Sequence, residues 1–168
     1  MKKGDIFEGV IEYIDFPNKG RVMADGQVIT VKNGIPGQKI RAMINKKKGQ
    51  RLEGRLLEVL EKSPLETQPP VCHNFPACGG CMYQTMSYDA QLSMKETQVR
   101  HLLDPVIQKC GQTDEAGHPD YMFEGILSSP CQYGYRNKME FSFGDDHKNK
   151  PLTFSLQKKG STYDILTV

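Results

Sequence analysis

No run of about 18 apolar residues occurs anywhere in the 168-residue chain, so no segment has the length and hydropathy of a membrane-spanning helix. An apolar leader is missing too, because Met1, Lys2, Lys3, Gly4 and Asp5 pass straight into amphipathic sequence. The simplest expectation is a cytoplasmic protein. In that compartment thiols stay reduced, and five cysteines, an odd number, do not make a disulfide framework. They point instead to metal binding or redox chemistry. Also lacking is a strand followed by a glycine-rich turn and a helix, the arrangement that cradles a nucleotide-like cofactor.

What is present is the composition of a globular protein with more than one domain: 25% charged and 38% hydrophobic residues, with 16 Gly and 10 Pro. The net charge of +2 conceals an uneven distribution. Residues 1–62 carry 13 Lys and Arg against 8 Asp and Glu, whereas residues 63–168 carry 9 against 12. A small basic domain can neutralise phosphates and release their counterions, which is the sequence-independent part of nucleic-acid affinity.

Residues 1–62 are expected to form five short strands and an OB-like barrel. Ile6, Val10 and Ile14 are assigned to one face of the first strand. A turn at Pro17-Asn18-Lys19-Gly20 leads to a second strand over 21–24, and Asp25-Gly26 forms a hairpin turn into a third over 27–32. The fourth is expected over 38–45 and the fifth over 51–60, joined by a loop containing Lys46, Lys47, Lys48 and Gly49. The basic residues Lys19, Arg21, Lys46, Lys47, Lys48 and Arg51 then fall mostly at turns. They are read as a phosphate-contacting rim, with a merely solvated set of loops as the alternative.

Residues 63–71 hold three prolines and no apolar period, and read as a semi-rigid linker. The remainder, 72–168, is expected to be a second domain of α+β type. It opens with Cys72, Cys78 and Cys81 in C-x5-C-x2-C spacing, with Gly79 and Gly80 leaving the backbone amides free to approach sulfur. Such spacing suits an iron–sulfur cluster or a structural zinc, and His73, Cys110 and Cys131 are the remaining candidates for a fourth ligand. Ser87 is placed as the cap of a helix running to about Leu103, with Tyr88, Leu92, Val99, Leu102, Leu103 and Val106 as its core stripe and Lys95, Arg100 and His101 on or beside its outer face. Residues 133–143 alternate as a half-buried strand. Leu152, Phe154 and Leu156 give a second, and a third begins at Tyr163, making an antiparallel sheet. Arg136 and Lys138 are expected to project together for phosphate contact, with Asn137 able to bond a base; charge pairing with Glu140 is the alternative.

Taken together, the basic barrel, the cysteine spacing ending in Gly79-Gly80-Cys81, the helix after it, and Gly134-Tyr135-Arg136-Asn137-Lys138 resemble the RNA (uracil-5-)-methyltransferase family. The resemblance implies an amino-terminal TRAM domain, a central domain holding a 4Fe-4S cluster, and a carboxy-terminal domain that binds S-adenosylmethionine and carries the catalytic cysteine. It identifies Cys72, Cys78 and Cys81 with three cluster ligands, the fourth expected just beyond Val168. It further implies RNA as the partner, 23S ribosomal RNA on family grounds, and a chain that holds an extruded uridine's surroundings while being inactive by itself. A stand-alone zinc- or cluster-stapled RNA-binding module is the alternative, and an electron-transfer protein a third class.

Overall fold

A computed structural model describes residues 1–144, 151–160 and 164–166. Packing divides the chain into two units, Met1–Thr67 with Ser87–Ser128, and Gln68–Met86 with Ser129–Val168. Each is described on its own.

The first unit begins with five strands: β1 (Ile6–Asp15), β2 (Lys19–Ala24), β3 (Gln27–Lys32), β4 (Lys39–Lys48) and β5 (Arg51–Glu61). They close in the order β1-β2-β3-β5-β4, with β4 pairing back onto β1 and β3 running parallel to β5. This is the expected OB-like barrel. The β2–β3 hairpin turns at Asp25 and Gly26, both at positive φ (49° and 68°), the geometry that matches the strands' right-handed twist. The barrel interior holds Phe7, Ile11, Val22, Ile29, Val31, Ile40, Ile44 and Leu52. Gly20 and Gly54 also belong to this interior: a Cβ on Gly20 would lie 2.9 Å from the Val31 carbonyl oxygen, and one on Gly54 would crowd the Phe7 ring at 3.1 Å.

The inward face of β1 differs from the expected one. Phe7, Ile11 and Ile14 are buried, while Ile6 and Val10 are exposed. A strand alternates with period 2, so Phe7 and Ile11 share a face, and a bulge between Ile11 and Tyr13 shifts the phase and brings Ile14 inside. The Lys46–Lys48 run is a second correction. It is not a loop but the end of β4, laddered to Glu53, Leu52 and Arg51 of β5.

Residues following the barrel are tied to it rather than free. Gln38 Nε2 donates to Glu66 Oε1 (2.7 Å), the same carboxylate accepts from the Ser63 amide (3.0 Å), and Ser63 Oγ bonds the Pro36 carbonyl. Helix α1 (Tyr88–Lys109) is capped by Ser87, whose Oγ accepts from the Ala90 amide at 3.2 Å. It continues past Leu103 through Pro105 to Lys109, and it groups with the barrel, not with the second unit. Met94 and Gln98 are its buried residues, and His101 meets the Tyr13 ring of β1 edge-on at 5.5 Å. The expected core stripe is therefore wrong in its second half: Val99, Leu102, Leu103 and Val106 are exposed. Arg100, by contrast, bonds Glu96 and lies 4.3 Å over the Phe123 ring.

The second unit contains a three-stranded antiparallel sheet, β6 (Ser142–Gly144), β7 (Thr153–Gln157) and β8 (Ile165–Leu166), in the order β6-β7-β8. Residues 133–141 do not extend β6. Alternation specifies which side chains would share a face, but a strand also needs a neighbour to bond, and 133–141 have no ladder partner among the described residues. Of the expected polar loop over 144–151 and third strand over 163–168, residues 145–150, Tyr163, Thr167 and Val168 lie outside the described residues. Among the described residues, no helix is long and apolar enough to cross a membrane.

Candidate nucleic-acid interface

The barrel's outer surface is divided by charge. On the wall formed by β1, β4 and the second half of β5, acid meets base. Arg41 bonds Glu8 and Glu58, each at 2.8 Å, and Lys39 bonds Glu61 at 2.8 Å. The hydrogen bond to Glu8, and then its charge, raises the Arg41 pKa; Glu61 does the same for Lys39.

The wall formed by β2, β3, the first half of β5 and the end of β4 has a different character. Lys19 on β2 stands directly opposite Lys32 on β3, and the parallel register Val31↔Gly54 puts Arg55 of β5 beside Lys32 at the next step. One row along lie Arg21, Thr30, Glu53 and Lys46; there Arg21 is held by Asp15 (2.6 Å) and Thr30 (2.8 Å), and Lys46 approaches Glu53 at 3.9 Å. Another row along, Lys48 faces Arg51 across the β4–β5 turn, next to the exposed apolar side chains of Met23 and Val28. None of Lys19, Lys32, Arg55, Lys48 and Arg51 forms an ion pair among the described residues; Asp15, the β1 register partner of Lys19, is engaged by Arg21.

Like charges directly opposite one another on adjacent strands destabilise a sheet. This wall contains two such pairs, Lys19 with Lys32 and Lys48 with Arg51. A polyanion laid across the rows would relieve both repulsions, and its condensed counterions would be released as it bound. Exposed Met23 and Val28 add an apolar surface within the charged field.

Of the sequence-assigned residues, Lys19, Lys46, Lys48 and Arg51 lie on this wall as strand residues, not in loops. Arg21 is there too, but its guanidinium is engaged by Asp15 and Thr30. Lys47 belongs to the intervening register, and its ammonium bonds the Met1 carbonyl at 2.9 Å. Lys32 and Arg55 were not assigned from sequence. Each is an isolated cation near the middle or end of a strand, and only the pairing of β2, β3 and β5 gathers them with Lys19.

In the second unit, Arg136, Asn137 and Lys138 lie on an exposed irregular segment, not on a strand face. Lys138 pairs with Glu140 at 2.9 Å, the charge pairing weighed from sequence. Arg136 has no acidic partner among the described residues.

The cysteine segment is laid along the edge of β7. Cys78 forms an antiparallel bridge with Lys158, the Gly79 amide donates to the Gln157 carbonyl (3.0 Å) and the Lys159 amide to the Ala77 carbonyl (2.8 Å). Gly79 sits where a Cβ would come within 3.3 Å of that Gln157 carbonyl, and the Gly80 amide points at Cys78 Sγ at 3.4 Å. Lys159 is partly buried beside this segment, 5.9 Å over the Phe75 ring, and the burial lowers its pKa. Cys72 and Cys78 are half-buried and Cys81 is exposed; Cys110 and Cys131 are exposed thiols elsewhere. Among the described residues, no three His, Cys, Asp or Glu side chains gather closely enough to hold a metal ion. The local amide–sulfur contact expected from Gly79 and Gly80 is present at Cys78.

No family model matches the chain. It is 40% identical, over 99% of its length, to an uncharacterized RNA methyltransferase of Caldanaerobacter subterraneus subsp. tengcongensis, and 38% identical over 99% to an uncharacterized RNA methyltransferase of Clostridium tetani. A third relative so named, from Clostridium acetobutylicum, is 34% identical over 99%. The chain spans 34% of the length of each of these three curated relatives.

Proposed function

We propose, on the premise that this chain is homologous over nearly its whole length to about a third of proteins named RNA methyltransferases, that it is the RNA-holding amino-terminal part of such an enzyme. The observation that supports this reading is the barrel wall on which Lys19 faces Lys32 and Lys48 faces Arg51 without intervening acid. Carrying the family resemblance further, the barrel is a TRAM domain and the parent protein a cytoplasmic uridine C5 methyltransferase acting on 23S ribosomal RNA. S-adenosylmethionine would supply the methyl group, on a domain other than the barrel or the small sheet. The resemblance also assigns Cys72, Cys78 and Cys81 as residues that would hold a 4Fe-4S cluster in the parent protein; among the described residues no three candidate ligands gather.

In this reading the chain contributes affinity and placement. Cations on three adjacent strands track a phosphate backbone, which positions RNA without reading its sequence. The paired wall around Arg41 and Lys39 stays off the RNA because its charges are already satisfied.

The test is RNA binding by the purified chain as a function of salt. The variant Lys19→Gln/Arg55→Gln/Lys48→Gln is expected to flatten the slope of log K against log salt by about 2 for single-stranded RNA, at about 0.7 per phosphate contact. Lys39→Gln, on the paired wall, is expected to leave it unchanged. Equal slopes for the triple variant and the parent chain would refute the assignment. For the activity, loss of 5-methyluridine from 23S ribosomal RNA on deleting the gene, read by mass spectrometry, is the expected result; an unchanged 5-methyluridine content would reject the uridine assignment.

A further inference from the structure

One face of the small sheet of the second unit carries exposed aromatic rings. Ser155 on β7 is buried, and its register partner on β6, Ser142, is half-buried. On the opposite face Phe143 is 71% exposed, Phe154 58% and Phe141, just before β6, 45%. The register places Phe143 directly across from Phe154, and Phe141 follows two residues away on the same face. Ring centroids lie 5.0 Å apart for Phe143 and Phe154 and 5.1 Å for Phe141 and Phe154, at interplanar angles of 45° and 32°. Rings at that spacing and tilt touch one another in an offset arrangement, and their exposures leave much of each ring open to a ligand.

We infer that Phe141, Phe143 and Phe154 form a stacking platform for unpaired RNA bases. The inference rests on the RNA reading of the preceding subsection and adds to it a second, chemically distinct contact. Two features favour bases over an apolar protein surface as the occupant. Three aromatic rings lead the patch, with Leu152 beside them, whereas the exposed patch on α1 (Leu102, Leu103, Val106) is aliphatic throughout, and every base presents a π-face to an aromatic ring whatever its sequence. The run of chain that enters the platform also carries the exposed Arg136, which has no acidic partner among the described residues and is a cation suited to the phosphates that accompany stacked bases. The platform therefore binds single strands, loops or splayed-out nucleotides, and does not bind duplex, whose bases are already stacked.

The chain contains no tryptophan, so Phe143→Trp introduces a single fluorescent reporter at the most exposed ring. Titration with a short oligouridine is expected to quench its emission, and a duplex RNA of equal length is expected not to. In parallel, Phe143→Leu, which keeps apolar bulk but removes the ring, is expected to weaken oligouridine binding by about 5- to 100-fold at an unchanged salt slope, while Phe143→Tyr retains binding. Thermal melting of Phe143→Leu within a degree or two of the parent chain would verify that the fold is kept. If the parent chain binds oligouridine but the indole emission of Phe143→Trp does not change and Phe143→Leu binds equally well, the platform is refuted while the RNA-holding barrel stands. If the parent chain binds no RNA at all, the function proposed for the barrel fails first. A blue-shifted indole emission from Phe143→Trp without RNA, together with a dimer in sedimentation, would make this face a protein interface and also overturn the platform.

Discussion

Replacing Lys32 by Gln should make the protein more stable and a poorer ligand for RNA. Lys32 sits opposite Lys19 and beside Arg55, and no acid among the described residues pairs with it. Removing a like charge from a cross-strand pair is worth about 0.2–1 kcal/mol. For a barrel of this size that corresponds to a rise in Tm of about 1–6 °C. The gain is electrostatic between exposed groups, so it should shrink toward zero in about 1 M salt, where the screening length falls to about 3 Å. On the binding side one phosphate contact is lost, and the slope of log K against log salt should fall by about 0.7–0.9. The paired assay is calorimetry or circular dichroism melting at two salt concentrations, beside fluorescence anisotropy with a labelled RNA. A Tm that falls on substitution, or a salt slope that does not change, would refute the reasoning, because a cation held for fold stability loses stability when removed and one held for RNA does not.

Two further changes probe the frame that holds this wall. Gly20→Ala places a Cβ about 2.9 Å from the Val31 carbonyl oxygen, a backbone atom that cannot swing aside, and should destabilise the barrel by about 1–3 kcal/mol in urea unfolding; an unchanged midpoint would show that the β2–β3 ladder yields at little cost. Ser87→Ala removes the oxygen that accepts from the Ala90 amide and should cost about 1 kcal/mol, with increased hydrogen exchange over the first turn of α1; exchange spread evenly along the helix would contradict a local capping role.

Strand locations were readable because the signals are local. Asp25-Gly26 marks its own turn, the alternation around Val28–Val31 marks its own strand, and Ser87 marks its own helix start. The inward face of β1 was misread because Ile6, Val10 and Ile14 are spaced by four, and a strand with period 2 can bury them together only if it has no bulge; the bulge after Ile11 is seen only against β2. The alternation of 133–143 was real in sequence yet produced little strand, since backbone groups form a ladder only when a second strand lies beside them.

The sequence by itself determined the five strands, the hairpin turn and the surplus of positive charge in residues 1–62, because propensity, turn geometry and charge are properties of neighbouring residues. Only the tertiary structure decided that Lys19, Lys32 and Arg55 share one wall while Arg41 and Lys39 are neutralised on another. That sorting depends on the β1–β4 closure and the parallel β3–β5 pairing, contacts between residues more than twenty positions apart that no local pattern records.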